Sequence, residues 1–265
     1  MHAFNYHRPS SVADASKQAG AGADVRLLAG GQSLVQAMKL RLSAPSDLVD
    51  LNAIAELRGI KSDGKTVTVG AMTRHAEVAG SADVKKAIPA LAALAGMIGD
   101  RQVRNQGTIG GSLANNDPAA DYPAAVLGLG ATIVTNKRKI DADKFFKGMF
   151  ETALERGEII TQVSFPVPKR AAYVKFKNPA SRFAIVGVFA ADTGNGVRVA
   201  VTGAGPSVFR QTDMEKALSS KFDPASVANV RQKADGLNSD LHASAEYRAH
   251  LVTVMTKRAV EAAMK

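Results

Sequence analysis

GDRQVRNQGTIGGSLANNDPAADY, residues Gly99 to Tyr122, follows neither a helical nor a strand period. Its glycines, hydroxyls and amides are ill suited to core packing, and a run of this kind predicts a loop that holds a ligand. Gly107, Gly110 and Gly111 are expected to permit positive φ values and close backbone approach. Thr108 and Ser112 would add hydroxyls to a series of unpaired backbone N–H groups, chemistry that suits a phosphate. Taken alone, TIGGS is equally compatible with a plain glycine-rich turn.

A second loop of the same character stands near the start, in VRLLAGGQSLVQAMKLRL from Val25 to Leu42. Val25 to Leu28 reads as a short strand, Ala29 to Ser33 as a turn, and Leu34 onward as a helix with apolar residues at Leu34, Val35, Met38 and Leu42. Strand, glycine turn and helix form a phosphate-binding arrangement. Ser33 is positioned to cap the helix, whose first turn carries unpaired N–H groups and about half a positive charge. A diphosphate has two charged groups, and two such loops suit clamping it from both sides.

At these motifs the sequence resembles a known family. AGGQSL with MKLRL, then VRNQGTIGGSLANNDPAADYPA, GEIITQVSFP and YVKFKNPASRFAIVGV, are similar to the FAD-binding medium subunits of the molybdenum hydroxylases, the flavoproteins of aerobic carbon monoxide dehydrogenases, xanthine dehydrogenases and related enzymes. The resemblance runs from FNYHRPSSVADA near the N-terminus to LHASAEYRAHL near the end. It implies an α+β fold: a two-lobed FAD-binding domain of the PCMH type, then a smaller α+β C-terminal domain with a three-stranded sheet plus helices. It also implies FAD as cofactor. Leu28, Ala29, Gly30, Gly31, Gln32, Ser33 and Leu34, with Thr108, Ile109, Gly110, Gly111 and Ser112, would hold the diphosphate, chiefly through backbone N–H groups. Asn115 and Asp121 would meet the hydroxyl-bearing parts of the cofactor. Ile160 and Lys177 would lie near the flavin ring, and Phe183 aligns with an aromatic that shields one face of it in some relatives. For Asp121 an N-cap before Tyr122 and Pro123 is an alternative, and for Phe183 a core position.

By the same resemblance, substrate oxidation belongs to a large subunit with a molybdenum cofactor and electron delivery to a small subunit with 2Fe–2S clusters, assembled as a dimer of heterotrimers. This chain would pass electrons to an external acceptor, without supplying an acid, base or nucleophile. A stand-alone FAD oxidase or reductase of the vanillyl-alcohol oxidase type and a non-enzymatic nucleotide-binding or scaffold protein remain as other classes. Neither loop is a G-x-G-x-x-G or P-loop motif.

Composition narrows the choice independently. With 265 residues, 46% of them hydrophobic, the chain has room for two compact units. It has no apolar run of the about 20 residues that a membrane span needs, and a cytoplasmic protein is expected. Cys 0 excludes a disulfide, a thiolate nucleophile and a cysteine-held iron–sulfur cluster. The net charge of +10 invites a nucleic-acid reading, but aromatics are only 5% and the basic residues are scattered, so a solvated basic surface is expected instead. His2, His7, His242 and His250 lack metal-ligand spacing, and His75 reads as a surface or capping residue.

In chain order, Ser11 is expected to cap a helix to Ala19, and Leu48 to Leu51 to close a β–α–β–α–β lobe of about residues 1–55. Residues 56–168 form the second lobe. In it Ser62 to Lys65 reads as a hairpin turn, Thr73 as the cap of a helix carrying His75, Ala82 to Met97 as helix, and Ile159 to Phe165 as a half-buried strand. Pro166 and Pro168 mark the boundary to residues 169–265. There Tyr173 to Phe176, Ala184 to Ala191 and Val197 to Thr202 read as strands, and Met214 to Ser219, Pro224 to Lys233 and Glu246 to Ala263 as helices.

Overall fold

The computed structural model describes residues 1–265. The first lobe comprises β1 (Asn5–His7), α1 (Val12–Gly20), β2 (Val25–Leu28), α2 (Leu34–Lys39) and β3 (Asp47–Asp50). Its sheet has the order β1-β3-β2 with both pairings parallel, the geometry that helical crossovers demand. Ser11 caps α1 by accepting from the Asp14 N–H. Ser33 stands at the N-cap position of α2 but makes no cap bond. Its φ/ψ of −116° and −57° is helical rather than extended, which turns the hydroxyl away from the first turn. The β2–α2 loop leaves the carboxyl edge of the parallel strands, where open sheets commonly bind ligands.

The second lobe follows in order: β4 (Ile60–Ser62), β5 (Thr66–Gly70), α3 (His75–Gly80), α4 (Ala82–Ala87), α5 (Pro89–Gly96), α6 (Arg101–Gln106), α7 (Ile109–Asn115), α8 (Tyr122–Leu129), β6 (Thr132–Thr135), β7 (Lys139–Asp141), α9 (Ala142–Phe145), β8 (Phe146–Gly148), β9 (Glu151–Thr152) and β10 (Ile160–Pro166). Five strands make an antiparallel sheet, β4-β5-β10-β6-β7. The single helix expected from Ala82 to Met97 is two, because Pro89 forces Ile88 out of the helical region, to φ −139° and ψ 72°. Nor does Thr73 cap α3. Arg74 occupies that position, with the Glu77 carboxylate accepting its N–H at 2.7 Å, and the Thr73 hydroxyl donates to the Gly59 carbonyl instead.

Helix α8 is apolar on every side and wholly buried, as a helix between two sheets must be. Its outer neighbour is the C-terminal sheet: β11 (Arg170–Lys177), β12 (Ala184–Asp192), β13 (Val197–Thr202) and β14 (Phe209–Arg210), antiparallel in that order. Three of these strands are the long ones expected, and the two-residue β14 adds a fourth at the edge. Tyr173, Phe189, Ala191 and Ala200 from this sheet join the core of the second lobe, so the two domains share one continuous apolar interior. Truncation of a buried aromatic such as Phe189 at this seam costs about 3–5 kcal/mol. On the far side, α10 (Thr212–Ser220) and α11 (Ala245–Ala263) cover a separate core that includes Val186, Val188, Met214 and Met255. Between them, the helix expected over Pro224–Lys233 is a single 3-10 turn, Pro224–Val227. The Val230 carbonyl that would have extended it accepts from the Thr253 hydroxyl of α11.

Candidate functional site

The two glycine loops, about 75 residues apart in the chain, meet backbone to backbone. A methyl group built on Gly30 would clash with the Gln106 carbonyl oxygen and stand 2.7 Å from Gly107 Cα. A methyl on Gly111 would stand 3.3 Å from Ala29 Cβ. Only a residue without Cβ permits this approach at Gly30, and Gly31, at φ +72°, makes the turn that follows. From behind, the Asn52 side-chain amide donates to the Ala29 carbonyl at 3.0 Å, and Asp50 in turn accepts from Asn52 at 2.7 Å and from the Tyr6 hydroxyl at 2.5 Å.

The first loop is the amide cradle. The N–H groups of Gly30, Gly31, Gln32, Ser33 and Leu34 have no acceptor within the chain, and they sit at the opening of α2. Such a row of unpaired donors fits the oxygens of a diphosphate.

The second loop works differently from the sequence expectation. Thr108 caps α7 by accepting from the Gly111 N–H, while Ile109 and Gly110 donate to the Thr73 and Ala71 carbonyls and Ser112 to Thr108. Four of the N–H groups expected to face a ligand are therefore spent inside the fold. Positive φ is not what the glycines supply either: Gly107, Gly110 and Gly111 all lie outside that region. Gly110 lets α7 close on Ala71, and Gly107 lets the chain close on His75, whose Nε2 would be 2.5 Å from an added Cβ. What this loop leaves available is the Thr108 N–H, the Ser112 hydroxyl and the Asn115 amide, none of which has a partner in the chain.

Asp121 makes no cap bond. It is buried, with the Tyr173 hydroxyl donating to one oxygen at 2.5 Å and the Lys175 ammonium to the other at 3.0 Å. Lys175 is itself only 2% exposed and also donates to the Met97 carbonyl. Burial pushes the Asp121 carboxyl above the usual carboxylate range, against the opposing pull of Lys175 and Tyr173. Ile160 is a core residue of β10, tied to the second loop through Ala71, which donates to Thr161 and accepts from Gly110. Lys177 ends β11 at a register shift and is exposed, as is Phe183. The turn joining them is fastened to the second lobe by Arg182, which donates to the Gly99 carbonyl at 3.2 Å.

His75 is buried rather than superficial, its ring tilted by 50° against that of Tyr122 with centroids 5.3 Å apart. Burial, with a smaller contribution from the Arg104 charge, brings its pKa down to about 4. A neutral imidazole thus backs Gly107 at physiological pH. Sequence reasoning missed the roles of His75, Lys175, Tyr173 and Asn52, since each acts through a partner distant in the chain, from 23 residues for Asn52 with Ala29 to 54 for Lys175 with Asp121. A group of three or more His, Cys, Asp or Glu side chains suited to a metal ion is absent, and no helix is long and apolar enough to cross a membrane.

Residues 2–168 match the model of the FAD binding domain in molybdopterin dehydrogenase, and residues 171–263 that of the CO dehydrogenase flavoprotein C-terminal domain. The chain belongs to the FAD-binding medium subunits of the molybdenum hydroxylases. FAD is accordingly the cofactor of this medium subunit, and the dehydrogenases it resembles make it part of an oxidoreductase. It is 37% identical to the carbon monoxide dehydrogenase medium chain of Hydrogenophaga pseudoflava over 98% of this chain and 96% of that one. It is 34% identical to the glyceraldehyde dehydrogenase medium chain of Sulfolobus acidocaldarius, covering 97% and 96%. A solved structure of carbon monoxide dehydrogenase from Hydrogenophaga pseudoflava superposes with a TM-score of 0.90, covering 98% of the medium subunit described here and 97% of its counterpart.

Proposed function

We propose that this medium subunit collects electrons from 2Fe–2S clusters on a small subunit and delivers them to an external acceptor, while a large subunit carrying the molybdenum cofactor oxidises the substrate. The observation that carries it is the meeting of the Gly30 and Gly107 backbones beside five unpaired amides, a cradle built for a diphosphate. Gly30 to Leu34 would bind the diphosphate, with Leu28 and Ala29 shaping the turn. Thr108, Ser112 and Asn115 would add side-chain and single-amide contacts, and Ile109, Gly110 and Gly111 would hold that loop in place.

Asp121, with its oxygens occupied by Tyr173 and Lys175, would orient the C-terminal domain against the cofactor and accept at most a further hydroxyl. FAD supplies a ring that takes up electrons singly or in pairs; the chain binds it, orients it and sets its electrostatic surroundings. Lys177 would favour the reduced, more negative ring, with Ile160 and Phe183 nearby.

Cys 0 means that any cluster feeding this cofactor resides on another polypeptide. The complex would be a cytoplasmic dimer of heterotrimers, a reading that rests on the family resemblance. Isolation of the native complex, followed by mass spectrometry of its subunits and assay of molybdenum and iron, tests this division of labour. Co-purifying molybdenum and iron–sulfur subunits are the expected result; oxidation of an organic substrate by the isolated chain would reject it.

A further inference from the structure

The two glycine loops belong to different lobes, and what fixes their mutual register lies elsewhere. No backbone hydrogen bond crosses from residues 29–34 to the second loop, so Gly30 and Gly107 meet by packing alone. Repulsion there limits how closely the loops approach, while dispersion between so few atoms does little to hold them in register.

The hydrogen bonds that join the lobes are at the opposite edge. Outside the crossing segment at residues 52–58 they are two, and both use Ser16 of α1. Its hydroxyl donates to the Gly157 carbonyl at 2.7 Å and accepts from the Asn136 side-chain amide at 2.9 Å. Helix α1 links the carboxyl end of β1 to the amino end of β2, so it runs against the strands. Its last turn therefore lies at the amino edge of the sheet, across the lobe from the β2–α2 loop.

The segment of the second lobe that meets this turn is itself held in place. Gly157, at φ +70°, brings its backbone directly against α1: a Cβ there would stand 2.9 Å from the Ser16 carbonyl oxygen and 3.3 Å from Gly20 Cα. Asn136 is fixed by Ile159, whose N–H donates to the Asn136 side-chain oxygen at 2.8 Å and whose carbonyl accepts the Asn136 N–H at 3.0 Å. The neighbouring Glu158 carboxylate is buried, accepting from the Thr135 hydroxyl at 2.7 Å, the Arg138 guanidinium at 3.0 Å and the Glu155 N–H at 2.8 Å.

Between the two edges lies a small apolar core, in which Ala15, Val49 and Leu51 of the first lobe pack with Leu57, Met72 and Ile159. Apolar burial is non-directional, so this core resists separation of the lobes without fixing the angle between them. Hydrogen bonds are directional, and those at Ser16 supply the missing constraint. Without them the first lobe is free to turn about the core, and the glycine loops lose register at the far edge.

We propose that Ser16, Asn136 and Gly157 are positioning residues for the cofactor, a latch that sets the register of the two glycine loops from across the first lobe. The effect on FAD rests on the cradle reading above; the effect on the loops rests on these contacts alone.

The test uses the full-length chain, whose lack of cysteine lets a labelled pair be introduced cleanly: Leu40→Cys on the first lobe and Gln102→Cys on the second, both exposed. Nitroxide labels on this pair report the spread of distances between the lobes by pulsed electron paramagnetic resonance, and FAD affinity is titrated by fluorescence without the labels. Two substitutions break the latch: Ser16→Ala, and Asn136→Asp, which keeps the acceptor for Ile159 but loses the donor to Ser16. Each is expected to broaden the distance distribution and to weaken FAD binding roughly two- to tenfold, the worth of a hydrogen bond. Ser16→Thr, which retains the hydroxyl, is expected to restore both, and Lys17→Ala, exposed on the same helix, to change neither. Urea denaturation identifies a variant that fails to fold, and the other then carries the measurement. A distribution as narrow as in the parent chain, or FAD affinity indifferent to both substitutions, overturns the proposal. If the parent chain takes up no FAD, the cradle reading fails, while the distance measurement still decides whether the latch sets the register of the loops.

Discussion

Gly30 and Gly107 are pressed together so closely that a single methyl group on Gly30 would stand 2.7 Å from the Gly107 Cα and clash with the preceding carbonyl. This contact converts two unremarkable glycine turns into one site. Gly30→Ala should push the loops apart at the cost of an overpacked contact, about 1–3 kcal/mol, read as a five- to 150-fold loss of FAD affinity in a fluorescence titration. Gly20→Ala, with nothing within 4 Å of the added methyl, should leave affinity unchanged and serves as the control.

Lys175 and Asp121 couple the domains through a buried pair. Lys175→Met should destabilise the chain by about 3–5 kcal/mol, the cost of stranding a buried charge. The loss should be smaller at pH 5 than at pH 8. Burial already raises the Asp121 carboxyl above its ordinary value, so the folded protein retains a proton that the unfolded chain releases, and stability falls as pH rises. Urea denaturation at the two pH values reads both effects. Asp121→Asn combined with Lys175→Met should recover part of the loss.

His75 makes the glycine site acid-sensitive. Its folded pKa of about 4 lies below the ordinary 6.5, so between those values the unfolded state binds the extra proton. Stability should fall as pH drops through this window, by at most about 3 kcal/mol. His75→Phe should flatten that limb of the stability–pH curve, and an unchanged slope would assign the effect elsewhere.

Lys177 is exposed and pairs with no carboxylate, so its charge acts on its surroundings through water. At about 4 Å and the dielectric constant of water, that attraction is about 1 kcal/mol, or roughly 20 mV for a two-electron couple. Lys177→Met should make the bound flavin harder to reduce by that amount in a redox titration. An unchanged midpoint potential would remove Lys177 from the site.

The strand–helix order of the first lobe, the three long C-terminal strands and the first glycine loop were legible in the sequence, because periodicity, capping residues and turn glycines are local signals. The run from Gly99 to Tyr122, read as a loop, is mostly helix, α6 and α7, whose short turns carry too few residues to show a period. What each loop does was not. That Ile109, Gly110 and Gly111 spend their amides on Thr73, Ala71 and Thr108, leaving the row from Gly30 to Leu34 as the open donors, depends on contacts made only in the fold. Pro89 splitting the helix was readable in principle from its own chemistry. Asp121 joining Tyr173 and Lys175 was not, since those partners lie more than 50 residues downstream. Motif reading found which residues gather, and tertiary hydrogen bonding decided which of them remain free.

The most direct test of the account is titration of the purified chain with FAD, followed by visible absorbance and competed with ADP, which carries the diphosphate without the flavin. One FAD per chain is expected, displaced by ADP and weakened by Gly30→Ala. A chain that takes up no flavin, or one whose flavin binding ignores both ADP and the Gly30 substitution, would contradict it.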